Sequence, residues 1–241
     1  MRCERAGPTL ATMSATPSLL PDPLPSDPLP IAASWFSQAW NDRVQPNPDA
    51  MVLASCDAQG QPSARVVLCK QFTASPGYLV FHTNYESRKG RELETTGRAA
   101  AVLFWDTLHR QVRVEGPVVR ATPQESDTYF KTRPWQRQVG AWASRQSAPV
   151  SSRQQLVEAV TATAARFNAP DPLSADRASS QPVAVPRPPH WGGYRLWVES
   201  IELWLEGEYR IHDRARWTRS LTKVDEHSFS PGPWSATRLN P

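Results

Sequence analysis

Two periodicities run through the chain. Runs rich in β-branched and aromatic residues, several alternating apolar with polar at every second position, occur at "AMVLASC" (50–56), "SARVVLCK" (63–70), "GYLVFHT" (77–83), "AAAVLFW" (99–105), "RQVRVEGPVVRAT" (110–122) and "GGYRLWVESIELWLEGEYRIHDRARW" (192–217). These read as strands, and "DAQGQP" joins the first two as a hairpin turn. A helical period appears at "IAASWFSQAWNDRV" (31–44), where Ile31, Trp35, Phe36, Ala39 and Trp40 form an apolar stripe, and again at 87–96, 123–133 and 151–167. Consecutive strands on short connections predict a mainly β, α+β domain: an antiparallel barrel with peripheral helices.

The pattern fails in three places. Residues 1–30 are rich in Pro and Ser and predict a flexible arm, with one ordered domain over 31–241. Residues 168–189 and 220–233 lack periodicity and predict loops. A hydrophobic content of 39% with ten Trp supplies a core, and there is no internal repeat. The net charge of +4 and pI near 9.2 admit anionic partners, but no run of five or six basic residues calls for nucleic acid. Cys3, Cys56 and Cys69 have no paired spacing, so neither a disulfide framework nor a zinc site is indicated. A cytoplasmic setting is expected, since no segment approaches a membrane span and the N-terminus lacks a signal-peptide core.

Candidate chemistry lies at strand and helix ends. In "HTNYESRKGREL" a strand ends near Thr83, Ser87 is placed to cap a helix, and Arg88 and Lys89 fall in its first turn. That is either an anion site at a positive helix end or a solvated terminus. Arg65 and Lys70 bracket an apolar strand on opposite faces, so a shared pocket requires a bulge or a strand end; alone, Lys70 reads as an edge charge. Tyr129 and Arg133 share a helix face that Pro134 ends, able to grip a phosphate or to be a packed Tyr beside a surface Arg. Gln111 alternates with buried valines, its amide turned to a ligand or to water. In "GEYRIHDRARW" alternation puts Arg210, His212 and Arg214 on one strand face, opposite Ile211 and Asp213. No P-loop, dinucleotide fingerprint, G-x-S-x-G or H-E-x-x-H occurs. Phosphate-type ligands without a metal set point to a phosphorylated organic cofactor.

The ordered series "RVVLCK", "HTNYESRKGREL", "RQVRVEG", "YFKTRP", "QVGAWASRQS", "WGGYRL", "GEYRIHDR" and "ATRLNP" resembles the pyridoxamine 5'-phosphate oxidase family over residues 31–241. The resemblance implies a homodimeric split β-barrel with FMN at the subunit interface. It implies oxidation of pyridoxamine or pyridoxine 5'-phosphate by O2 to pyridoxal 5'-phosphate and hydrogen peroxide. By the same resemblance Arg65, Arg88 and Lys89, with Thr83, Gln146 and Ser147, hold the FMN phosphate end. Gln111, Trp191 and Arg214 border the rest of the flavin, and Val66, Lys70 and His82 adjoin it. Lys70, Tyr129, Arg133 and Arg137 bind the substrate phosphate, and Arg210 and His212, with Ile211 between them, form the catalytic wall over the pyridine ring. Two departures stand out: Arg137 replaces a Ser, and His82 replaces an aromatic. The alternatives are a phenazine-type flavin oxidase, a non-catalytic flavin or pyridoxal-phosphate carrier, and a basic RNA-binding module.

Overall fold

The computed structural model describes residues 19–171 and 183–241. In chain order they form α1 (Leu29–Asn41), β1 (Ala50–Cys56), β2 (Pro62–Leu68), β3 (Gln71–Thr73), β4 (Tyr78–Asn84), α2 (Arg88–Thr96), β5 (Arg98–Trp105) and β6 (Arg110–Arg120). Then follow α3 (Pro123–Thr132), α4 (Trp135–Ala143), α5 (Arg153–Arg166), β7 (Trp191–Trp197), β8 (Ser200–Leu205), β9 (Asp213–Thr218), β10 (Leu221–Lys223), β11 (Phe229–Pro231) and β12 (Ser235–Leu239). Every strand pair is antiparallel.

The sheet forks on β6. Arg110–Glu115 pair with β8, and Val118–Arg120 pair with β7. One branch runs β12-β9-β8-β6-β5-β1-β2 and the other continues through β7 and β4 to β3. Gly116 sits at the fork, where a Cβ would lie 2.0 Å from the Trp197 carbonyl, so only glycine lets the backbones come this close. The result is the expected mainly β, antiparallel split barrel with helices at its periphery.

Alternation sorts the long branch into two faces. Met51, Leu53, Leu103, Val112, Val114, Ile201, Leu203, Ala215 and Trp217 point inward, each at most 2% exposed, and α1 covers them with Leu29, Ala32, Trp35 and Ala39. Buried indoles keep partners: Trp105 Nε1 donates to the Pro48 carbonyl at 2.8 Å and Trp217 Nε1 to that of Pro25 at 2.9 Å. Trp40, expected in the α1 stripe, is 53% exposed. The outer face carries Val52, Val66 and Phe104 toward one end, all exposed, and the Arg113, Glu202, Arg214 and Arg216 network toward the other.

Three expectations are corrected. Residues 19–30 are not a loose arm: Leu20 is buried, its N–H donates to Asp213 at 2.7 Å, and Arg238 holds the carbonyls of Leu20 and Pro21. Residues 1–18 lie outside the described residues. The 220–233 segment forms the β10–β11 hairpin. The 168–189 segment is a loop, as expected, where it is described; residues 172–182 lie outside the described residues, Val185 is buried, and Pro186 accepts from Trp142 at 2.7 Å. Finally, 207–217 is not one strand: β9 starts only at Asp213, because Glu208–Arg210 form a tight turn with Tyr209 and Arg210 at φ 55° and 66°. Gly207 permits the turn, since a Cβ there would meet the Ile211 carbonyl at 1.8 Å. Arg210, His212 and Arg214 therefore do not share one strand face.

Leu20→Ala should cost about 2 kcal/mol, lowering Tm by roughly 4–8 °C. An unchanged melting temperature would contradict the packing of this segment.

Candidate functional site

Two strand ends and two helix ends meet in a cleft of about 530 Å³, a size typical of small-ligand sites. Of the residues singled out in the sequence, Arg65, Val66, Lys70, His82, Thr83, Lys89, Tyr129, Arg133, Arg137, Gln146 and Trp191 line it, together with Val67 and Leu68. A larger hollow of about 680 Å³ at the end of α1, lined by Trp40, Arg43, Val44, Gln45, Pro46 and Pro48, offers a single cation.

The first cation cluster is organised around Glu92. Ser87 caps α2, accepting from the Gly90 N–H at 3.2 Å. This orients the helix so that Lys89 Nζ donates to Thr83 Oγ1 at 3.1 Å and to Ser87 Oγ at 3.3 Å; Thr83 in turn donates to the Gln146 side chain at 3.3 Å. Arg65, from β2, donates to Ser55 at 2.6 Å, to the Ser63 hydroxyl, and to Glu92 at 3.1 Å. Arg88 reaches the other Glu92 oxygen at 2.8 Å. Burial opposes the ionisation of Glu92, but hydrogen bonds from Ser55, Ser63, Arg88 and Arg65 outweigh it and hold its pKa at about 2. Lys89 is buried, and its pKa is lowered by desolvation and then by Arg65. Arg65 and Arg88 thus share one carboxylate, and with Lys89 beside them the cluster keeps a net charge of +2.

The second cluster lies where β2 ends. The strand stops at Leu68, and the Lys70 N–H turns to the Val80 carbonyl at 2.7 Å, so the strand end brings Lys70 into the same cleft as Arg65. Lys70 Nζ is paired to buried Asp49 at 2.6 Å. Arg133 caps the end of α3 and stacks on Trp191 at 4.6 Å, with its Nη1 buried and without a hydrogen-bond partner among the described residues. Its pKa is lowered by burial, an effect that the nearby Tyr129 opposes and Arg137 reinforces. Gln138 fixes this corner: its buried amide donates to the carbonyls of Phe130 and Arg133, both at 3.0 Å. Pro134 thus ends α3, as expected, but also opens α4, a helix whose short pattern the sequence reading missed.

His82, Tyr129 and Trp191 form a wall of near-parallel rings, His82 lying 3.9 Å from Tyr129 and 5.3 Å from Trp191. Both His82 ring nitrogens are buried and have no hydrogen-bond partner among the described residues. Desolvation, then Arg133 and Lys70, hold its pKa near 4, so the ring is neutral.

The remaining candidates stand apart from the cleft lining. Arg88 lies beside it through Glu92, and Ser147 follows Gln146 at φ 71°. Gln111 pairs across strands with Phe104 and Trp204, Arg214 is held by Glu202 at 2.9 Å, and the His212 ring packs 4.8 Å from Trp204. Ile211 is 74% exposed. Val66 and Arg214 lie on the same outer sheet face but five strand spacings apart, roughly 24 Å at 4.8 Å each.

A sequence profile for the family described as Pyridoxamine 5'-phosphate oxidase matches residues 36–168. One described as Pyridoxine 5'-phosphate oxidase C-terminal dimerisation region matches residues 191–241. The chain is 47% identical over 225 residues to a pyridoxine/pyridoxamine 5'-phosphate oxidase of Paracoccus denitrificans, covering 89% of this chain and 95% of that one. It is 45% identical over 208 residues to the Paraburkholderia phytofirmans protein of the same name, covering 86% of each. Among solved structures it superposes with TM-score 0.75 and 29% identity on PhzG from Burkholderia lata in complex with tetrahydrophenazine-1-carboxylic acid, over 91% of this chain and 95% of that one. A pyridoxamine 5'-phosphate oxidase-related, FMN binding protein from Nostoc punctiforme shares the fold with TM-score 0.61 at 14% identity, over 88% of this chain and 97% of that one.

Because the folded chain keeps His82 neutral while the unfolded chain protonates it near pH 6.5, stability should fall as pH drops from about 6.5 to 4. His82→Phe, which keeps a ring in the stack, should remove roughly 2–3 kcal/mol of that acid loss. Denaturant titrations at pH 7 and pH 4 measure it; an unchanged acid loss in the variant would contradict the assignment. Gln138→Leu should free the Arg133 corner and raise KM several-fold with little change in kcat, read by steady-state kinetics.

Proposed function

The chain belongs to the pyridoxamine 5'-phosphate oxidase family, and from that premise we propose that it is an FMN-dependent oxidase of pyridoxamine and pyridoxine 5'-phosphates, yielding pyridoxal 5'-phosphate and hydrogen peroxide. The observation that carries this reading is the pair of cation clusters in one cleft, each with a net charge of +2. Each matches one phosphate monoester dianion, so the cleft suits two phosphorylated ligands at once: a cofactor and a substrate. The chemistry supplied by a bound FMN is acceptance of a hydride from the substrate C4' carbon and delivery of the electrons to O2.

The protein's part is binding and orientation. Arg65, Arg88 and Lys89, with Thr83 and Gln146, would hold the FMN phosphate, since Lys89 and Thr83 are already oriented by the cap of α2. Lys70, Tyr129, Arg133 and Arg137 would hold the substrate phosphate. The stacked wall of Tyr129, His82 and Trp191 offers flat apolar surface against which planar rings lie, and its neutral His82 adds no competing charge. Fixing two rings face to face supplies much of the rate without a strong base.

The cleft is half of the site in this reading. A second copy, docked across the outer sheet face, would bring its Gln111, Arg210, His212 and Arg214 over the cleft of the first. Support comes from the exposed Val52, Val66 and Phe104 on that face, the strand spacing that keeps Arg214 from its own cleft, and the match of 191–241 to a dimerisation region. The loop that carries Arg210 holds two consecutive residues at positive φ, a conformation retained where geometry serves function. A phenazine carboxylic acid like that bound by the Burkholderia lata protein, with one negative charge, would leave the second cluster half neutralised; the phosphate ester is the better match.

The purified protein should be yellow, bleach on anaerobic addition of pyridoxine 5'-phosphate, and recover its colour with peroxide release on admission of O2. A colourless protein, or a flavin that stays oxidised, would sink the reading. Arg210 is exposed and forms no side-chain hydrogen bond or ion pair among the described residues. Arg210→Ala should therefore lower kcat/KM about a hundredfold while leaving Tm and flavin content unchanged; an equal loss of flavin and stability would count against the role.

A further inference from the structure

Arg137 stands in the first turn of α4, exposed at the rim of the cleft, and also lines an adjoining hollow of about 280 Å³ that shares Arg133, Gln146 and Trp191. Its guanidinium makes no hydrogen bond or ion pair among the described residues. Three features make that position costly in the free protein. It faces the positive end of a helix dipole, it lies near the like charge of Arg133, and Arg133 itself is partly buried with one donor unpartnered. No hydrogen bond or ion pair among the described residues offsets these costs.

Among the described residues that line this end of the cleft, two cations lack a paired carboxylate. Lys70 is neutralised by Asp49, Glu125 by Arg195, and burial keeps His82 neutral. Arg133 and Arg137 remain. We propose that Arg137 is a specificity-determining residue that sets the charge of the ligand accepted here: with it the subsite selects a phosphate monoester dianion, and without it a monoanion would suffice. The inference rests on the reading of the cleft as a phosphate-ester site and adds the charge state that this chain discriminates. The second ionisation of a phosphate monoester falls near pH 6, so the discrimination has a pH signature.

The test uses the flavin-loaded protein and 4'-deoxypyridoxine 5'-phosphate, which has no oxidisable group, with Kd measured by calorimetry at pH 5 and pH 8. Taking variant over wild type at each pH cancels the titration of the pyridine ring. Arg137→Gln should weaken binding about tenfold at pH 8 and by less than about threefold at pH 5, where only about a tenth of the ester is dianion, and Arg137→Lys should recover most of the loss. Its side chain holds nothing in the fold, so Tm and flavin content should match wild type. An equal loss at both pH values, or no loss at either, overturns the proposal while the functional reading stands. A wild-type protein that fails to bind the ester at any pH overturns the functional reading and this inference with it.

Discussion

Glu92 is the carboxylate on which the cleft depends. It lies 4% exposed on α2 and accepts hydrogen bonds from Ser55 of β1, Ser63 and Arg65 of β2 and Arg88 of its own helix. One buried anion thereby fastens a helix to two strands and lets three cations stand close together. Remove it and Arg65, Arg88 and Lys89 repel; keep it and they stand together with a surplus of positive charge. A buried charge is tolerable when every lone pair is used, and here the hydrogen bonds hold Glu92 ionised down to a pKa of about 2.

The same logic, surplus cations held by rigid neighbours, recurs at the second cluster with different parts. Gln138 substitutes for missing helix hydrogen bonds at the α3 to α4 corner, and stacking on Trp191 fixes the Arg133 guanidinium. The fork at Gly116 then places the two clusters on one rim. β4 and β7, in one branch, supply Thr83, His82 and Trp191, while β2, in the other, supplies Arg65 and the turn to Lys70.

Much of this was legible in the sequence where local chemistry decides. The β1–β2 hairpin, the Ser87 cap and the half-buried alternation around Gln111 follow from period and capping alone. What was not legible was decided by tertiary contact. Residues 19–30 look like a linker, yet backbone groups of Leu20 and Pro25 serve buried or paired side chains 193 and 192 residues away. Alternation through 207–217 suggested one strand, but Gly207 and two positive φ angles turn the chain before Asp213. Glu92, Asp49 and Gln138 drew no attention because a supporting residue shows no motif; only a buried charge or amide beside a cation cluster marks it. The grouping of separated motifs into one site came from a family resemblance, since periodicity cannot bring together residues from opposite ends of a chain.

The central claim is that the cleft of one chain works with the outer-face residues of another. Mixing two inactive variants, Arg133→Ala and Arg210→Ala, by denaturing and refolding them together tests it directly. If the two residues act from different chains, each mixed dimer regains one intact site, and activity should rise to about a quarter of wild type. Activity that stays at the level of the separate variants, with mixed dimers demonstrated, would place both residues in one chain's site and contradict the account.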